Sequence, residues 1–377
     1  VEIENAAEDR IEPQAGHDLY TSLDINIQKY AQQAAEKVME SKQAKSVKLI
    51  VMNPQNGQIY AMVNVPEFDL NDPFTLIDEI ASEYEDVNLS SEQSQDLLNG
   101  MWRNACISDT YEPGSAFKIV TTAAALEDGV LELTDTFSCP GYRRVGDRNI
   151  RCHKAGGHGS QTFVDGIKNS CNPVFIDIGA RVGVDHTYKY YKQLGLFNKT
   201  GIDLPGEANS IMHKKDVIKE VELATMSFGQ SIQISPLQLM VAASATVNGG
   251  NLVTPHIGME VRSADGRTIK ALDFDTRGGA ISKETSETMK FLLEQVVADG
   301  TGRRAYLPGF RVGGKTATSE KLPRRNGKYI SSFLGFAPAN DPEVMALVLI
   351  DEPVGIYYGG TIAAPVIAGL FDNILPY

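Results

Sequence analysis

The stretch YISSFLGFAPANDPEVMALVLIDEP (Tyr329–Pro353) holds two β-rich runs on either side of Asn340-Asp341-Pro342. Aromatic and β-branched residues suit a pleated, half-buried surface, and the Asn-Asp-Pro cluster signals a turn. The stretch therefore predicts an antiparallel pair of strands. A second pair lies near the other end of the chain. SVKLIVM (46–52) and QIYAMVN (58–64) are separated by NPQNG (53–57), where Pro54 sets φ and Asn56-Gly57 tolerates positive φ. Strands at both ends with helical stretches between them predict one sheet assembled from distant pieces of chain. The expected class is α/β in the α+β sense, an antiparallel sheet packed on helices.

Helical periodicity marks the middle. Ile27, Tyr30, Ala31, Ala34, Ala35 and Val38 recur at i, i+3, i+4 spacing and predict a helix over 24–41. A helix is expected over 163–182, interrupted around Ser170–Pro173, and another over 185–194. PLQLMVAASATV (236–247) is nearly all apolar and reads as a buried helix, with Ser235 as N-cap and Pro236 at its first position. An amphipathic helix is expected over 283–298 and a last one over 361–375. The acidic segment 66–104 reads as an insertion, and 134–161, rich in Gly, Arg and Cys, as an irregular or β-rich excursion. The polar first 20 residues read as a linker or entry segment.

With 377 residues the chain has room for two to three domains, or for one large domain with insertions. Hydrophobic residues are 42% and charged residues 22%, an ordinary globular balance with material for a sizeable core. Thirty-five basic against 48 acidic residues leave a net charge of −13, which argues against nucleic acid as a partner. The apolar runs 344–350 and 362–371 are too short to span a bilayer. The chain starts at Val1 and not at Met, so a preceding segment is expected. Four cysteines do not make a disulfide scaffold. Cys139 and Cys152 could close a small loop in an oxidising compartment. A zinc reading would recruit His153 and His158, but no C-x2-C spacing supports it, and no metal is expected.

Three motifs carry candidate chemistry. Ser115-Ala116-Phe117-Lys118 fits S-x-x-K and follows Pro113-Gly114 at a predicted helix start. A Ser in the first turn of a helix sits near free backbone N–H groups, and a Lys three residues on shares its face. A buried Lys loses its proton readily and can serve as a base. An N-capping Ser and a solvated Lys would account for this motif alone equally well. Ser170-Cys171-Asn172 fits S-x-N and lies 55 residues after Ser115; by itself it reads as a turn before Pro173. Lys315-Thr316-Ala317-Thr318, 145 residues further on, could bind a carboxylate along an extended segment, or be a solvated loop. Gly309–Thr316 also matches G-x-x-x-x-G-K-[ST], yet Pro308 before it and Pro323 after it argue against the strand and helix that a phosphate loop needs. The six histidines form no H-E-x-x-H, and neither G-x-S-x-G nor G-x-G-x-x-G occurs.

Taken in this order, the three motifs resemble those of the penicillin-recognising serine acyltransferases. YEPGSAFKI (111–119), GIDLPG (201–206), FGQSIQISPLQL (228–239), and GGKTAT (313–318) followed by SSFLGFAPA (331–339) look like the transpeptidase domain of class B penicillin-binding proteins. GYRRV (141–145) and CHKAGGHG (152–159) resemble the division and sporulation branch. The likeness runs from about residue 17 to 377, which implies one transpeptidase domain preceded by a linker over 1–16 from an N-terminal anchor and pedestal. The implied fold is a five-stranded-type antiparallel sheet between helices, with an all-helical subregion.

The resemblance also implies roles. The substrate would be a peptidoglycan stem peptide ending in D-Ala-D-Ala, with an amine of a second stem peptide as acceptor. β-Lactams would acylate the same nucleophile, Ser115. Lys118 would be its general base, and Ser170 would shuttle the proton. Asn172 would orient the peptide and Lys118. Lys315, Thr316 and Thr318 would hold the substrate carboxylate, with an oxyanion hole from the Ser115 and Thr318 amides. No cofactor is implied. A membrane glycosyltransferase partner and an extracytoplasmic location come with the family. Two departures stand out. Ala317 replaces the usual Gly of the third motif and is expected to narrow the space beside the substrate backbone. Cys171 is a thiol beside the site that could pair with another cysteine as a redox switch, or be a small buried residue. A serine β-lactamase or a slow penicillin-binding sensor are the alternatives; no deacylating base specific to a lactamase is visible.

Overall fold

The predicted pair at 329–353 sits inside a larger ladder. The computed structural model describes residues 15–377. Five strands form one antiparallel sheet: β1 (Ser46–Met52), β2 (Ile59–Val65), β3 (Gly313–Glu320), β4 (Tyr329–Ala337) and β5 (Val344–Asp351), in the order β3-β4-β5-β1-β2. β1 pairs with β5 through Val47↔Ile350 and Val51↔Ala346, so the two ends of the chain close the sheet. Alternate residues of the central strands feed two cores. Ile50, Met52, Leu347 and Leu349 point into one, and Leu49, Val51, Val348 and Ile350 into the other, as period-2 geometry requires.

On the second face lie helices α1 (Ile25–Lys42) and α6 (Ala364–Ile374). Asp24 caps α1 by accepting from the Asn26 and Ile27 amides, and Ala31, Ala35 and Val38 are its buried stripe. The first face carries the helical region: α2 (Lys118–Glu127), α3 (Asn172–Gln193), α4 (Pro236–Val247) and α5 (Lys283–Asp299). Every residue of α4 is buried, as its composition predicts.

The helix expected over 163–182 with an interruption around Ser170–Pro173 is found in that form: Phe163–Lys168, a break at Ser170, then α3. The separate helix expected over 185–194 is present as the second part of α3, set off from the first by a non-helical break at Gly183 (φ 73, ψ 169). Other expectations shift. The last helix begins as a separate turn, Gly359–Ile362, before Pro365 in the first turn of α6 restarts it. The 134–161 excursion is two nested hairpins, Thr136–Cys139 with Gly159–Thr162 outside and Tyr142–Val145 with Arg148–Arg151 inside. The supposed entry segment contributes a strand, Asp18–Thr21, paired with Gly258–Arg262. The linker expected over 1–16 lies outside the described residues up to position 14. Gly309–Thr316 runs into β3 and no helix follows it, which removes the phosphate-loop reading.

Candidate active site

Ser115 stands in a tight turn, Gly114–Phe117, that leads directly into α2. Gly114 has φ 53, and a side chain there would strike the Ser319 hydroxyl, so only glycine lets this turn press against β3. The turn is tied from behind by Gly114 N–H donating to Gly229 O at 2.9 Å. Ser115 itself is half-buried, and its hydroxyl has no hydrogen-bond partner among the described residues.

Lys118, the first residue of α2, is fully buried. Its Nζ donates to Ser170 O at 2.8 Å and to Asn172 Oδ1 at 2.8 Å, and lies 3.2 Å from Ser170 Oγ. The break before α3 makes this possible. Ser170 is held in the left-handed region at φ 51, which turns its carbonyl and hydroxyl toward Lys118. Asn172 Nδ2 in turn donates to Arg151 O at 3.1 Å, at the end of the inner hairpin.

The third motif lies on β3, an edge strand of the sheet. Lys315 is fully buried, and its Nζ donates to Ser170 Oγ at 2.8 Å and to Thr316 O at 3.1 Å. Ser170 Oγ therefore sits between two amines, one from each side of the site. Thr316 Oγ1 donates to Thr301 Oγ1 at 3.1 Å, and Thr318 Oγ1 accepts from the Gly359 amide at 3.0 Å, leaving the Thr318 hydroxyl proton available to a ligand. A cleft of about 480 Å³ runs between these elements, lined by Ser115, Ser170, Asn172, Thr316, Ala317 and Thr318.

Burial sets the protonation states. It pushes the Lys118 amine down to about 7, with the nearby Cys171 and Cys152 sulfurs opposing that shift. Burial, and then the charge of Lys118, hold Lys315 well below the usual lysine range. Two ammonium groups sharing one serine hydroxyl, with no carboxylate beside them, would repel each other. A neutral Lys118 keeps its two good donor bonds and still has a lone pair to accept a proton.

Sequence reasoning named all eight of these motif residues, and the fold brings them to one cleft. Ala317 faces the same side of β3 as Lys315 and is 3% exposed, so its methyl fills space on the nucleophile side of the strand. Cys171 is buried and its thiol is free; the same holds for Cys106, Cys139 and Cys152, so the loop-closing pair Cys139–Cys152 is not formed in this structure. Further cleft residues were not visible in advance. His153, Thr301, Arg303, Arg304 and the 358–361 turn line the cleft as well. The only signal for Thr301 is its place between Gly300 and Gly302, after a helix end.

The family model of the penicillin-binding protein transpeptidase domain matches residues 47–374. The chain belongs to this family. Among its relatives, Stage V sporulation protein D of Bacillus subtilis is 39% identical over 378 residues, covering 98% of this chain and 55% of that protein. The chain thus spans about half the length of that relative. A probable peptidoglycan D,D-transpeptidase, PenA, of Neisseria flavescens is 33% identical, covering 96% of this chain and 83% of the relative. The apo transpeptidase domain of penicillin-binding protein 3 from Burkholderia pseudomallei superposes with a TM-score of 0.76 at 25% identity, covering 95% of this chain and 96% of that one. Penicillin-binding protein 3 of Mycobacterium tuberculosis, complexed with aztreonam, shares the fold with a TM-score of 0.83 at 24% identity, over 98% of this chain and 81% of that one.

Proposed function

We propose that the chain is the catalytic domain, residues 17–377, of a peptidoglycan D,D-transpeptidase that works through a Ser115 acyl-enzyme. The observation that carries this reading is the hydrogen-bonded row Lys118, Ser170, Lys315 beside an unpartnered Ser115 hydroxyl, in a cleft edged by β3. The stem peptide would lie along β3, its terminal carboxylate on the Thr316 and Thr318 hydroxyls. An arriving carboxylate favours the ammonium form of Lys315, which supplies the positive charge that burial withholds from the free site.

Ser115 Oγ attacks the penultimate D-Ala carbonyl as neutral Lys118 takes its proton. The tetrahedral oxyanion would rest on the Ser115 and Thr318 amides, the first at a helix entrance and the second on an edge strand. The C–N bond breaks, the proton returns through Ser170 to the departing D-Ala amine, and an ester remains on Ser115. An amine of a second stem peptide then attacks that ester, forming the cross-link and restoring the Ser115 hydroxyl. A β-lactam enters the same path, but its leaving amine stays tethered in the opened ring. A stem-peptide substrate implies an extracytoplasmic location, and a membrane glycosyltransferase partner is inferred from the family likeness alone. A role in sporulation draws on the likeness to Stage V sporulation protein D.

A fluorescent penicillin tests the reading. Freshly purified chain acquires a stable label at Ser115, and Ser115→Ala abolishes it. Rapid release of the label would favour a β-lactamase, and no label on folded protein would remove the whole proposal.

A further inference from the structure

Four donor groups converge beside the Ser170-Cys171-Asn172 turn. Cys139 ends the strand Thr136–Cys139, Cys152 follows Arg148–Arg151, His158 closes the next loop, and Cys171 precedes α3. Their three sulfurs and one imidazole nitrogen all lie within 4.8 Å of one another. Cys152 Sγ and His158 Nδ1 are 3.6 Å apart. A tetrahedral zinc centre with Zn–S of about 2.3 Å and Zn–N of about 2.0–2.1 Å places its ligand atoms about 3.5–3.8 Å from each other. The Cys152–His158 edge already has that length, and no edge of the cluster exceeds it by more than about 1 Å.

We propose that Cys139, Cys152, His158 and Cys171 bind one zinc ion, and that this ion clamps the excursion to the S-x-N turn of the active site. The donor set favours zinc: three thiolates and an imidazole suit that ion and not Mg²⁺ or Ca²⁺. All four positions come from the protein and the three thiols are buried, the closed arrangement of a structural site. The thiols form no disulfide. Besides one another, Cys152 faces the His153 ring and the Lys154 amide, and Cys171 the Val174 amide. Binding releases the three thiol protons. The resulting single net negative charge faces Lys118, Lys154 and His153.

The backbone is shaped for this convergence. Gly157 has φ 74, and a side chain there would collide with the Cys139 carbonyl and the Gly141 amide. Glycine lets the 153–158 loop fold onto the end of the Cys139 strand, which delivers His158. The ligands lie 13, 6 and 13 residues apart, so no C-x2-C rule detects them. Two adjacent links would then join the excursion to the S-x-N turn: Arg151 O with Asn172 Nδ2, and Cys152 with Cys171 through the metal. Ser170, a non-glycine residue at φ 51, needs such surroundings to hold it.

Metal analysis of the reduced chain, purified without chelator, tests the site independently of the transpeptidase reading. About one zinc per chain is expected, at least about fivefold less in Cys139→Ser and His158→Asn, and no loss in Cys106→Ser, whose thiol lies outside the cluster. Cobalt added to chelator-stripped wild-type chain should give the thiolate-to-metal absorption of a tetrahedral site, and zinc should raise its melting temperature. A reduced, folded wild-type chain that holds no zinc, gives no cobalt spectrum and gains no melting temperature from zinc overturns the site, whether or not the variants fold. The clamp has its own readout. Stripping zinc should slow penicillin labelling of Ser115 at least about tenfold, and zinc should restore it; an unchanged rate overturns the clamp.

Discussion

Lys118 can take the Ser115 proton only when its own amine is neutral. Burial brings that amine down to about 7. Below this value the protonated form dominates, so the penicillin acylation rate should fall about tenfold per pH unit on the acid side and level off above it. A rate flat from pH 5 to 8 would remove Lys118 as the base. Lys118→Met should cut acylation by at least about 100-fold at every pH, the usual span of a lost general base. Ala317 makes a second residue-scale case. Its methyl crowds the nucleophile side of β3, so Ala317→Gly should speed acylation by bulky β-lactams several-fold while costing about 0.5–1 kcal/mol of stability, because glycine gives up more freedom in a strand. Labelling time courses and urea melts of the two proteins read both effects. At this scale the sequence was informative about identity, since Ser, Lys, Asn and Lys appear at spacings that the chemistry needs. It left protonation conditional on burial, because burial of Lys118 and Lys315 depends on α2, α3 and β3 meeting.

Elements were legible where one residue type decided them. Asp24 and Ser235 mark the starts of α1 and α4, and the Asn56-Gly57 turn closes the β1–β2 hairpin. They were less legible where tertiary contacts decide, as in the 134–161 excursion, whose two nested hairpins read in the sequence only as an irregular or β-rich stretch. α4 carries another lesson. Its sequence reads as apolar, yet Gln238 is a buried polar knot. Its Nε2 donates to the Asn198 carbonyl at 2.7 Å and to those of Leu196 and Gly195 at 3.3 and 3.4 Å, and its Oε1 accepts from Ser210 Oγ at 2.5 Å. Gln238→Leu raises hydrophobicity but leaves those partly buried partners without their hydrogen bonds. It should destabilise the chain by about 1–3 kcal/mol, the cost of unpaired buried polar groups. Chemical denaturation checks this; a neutral or stabilising result would mean that water reaches the carbonyls.

Over the whole molecule, the decisive feature is that the sheet is closed by the two ends of the chain while the helical region is made from its middle. The pairing Val47↔Ile350 was foreseeable only as a class, because hydrophobic pattern gives strands and not their partners across about 300 residues. The cleft lies on the resulting seam. β3 supplies Lys315 and Thr318 from the sheet, whereas Ser115 and Ser170 come from the helical side, and Ser170 Oγ to Lys315 Nζ at 2.8 Å is one of the few polar bonds across the opening. A covalent β-lactam on Ser115 whose carboxylate reaches Thr316 and Thr318 ties the two sides together. It is bound to the native state and has no such partners in the unfolded chain, so it should raise the melting temperature by a few degrees. The shift should vanish in Ser115→Ala. In Thr318→Val, which takes the ester but lacks the hydroxyl for the carboxylate, it should shrink to less than about half. Differential scanning calorimetry of acylated and free protein measures all three. An equal shift in Thr318→Val would mean that the ligand stabilises the helical side alone and that the seam is not bridged.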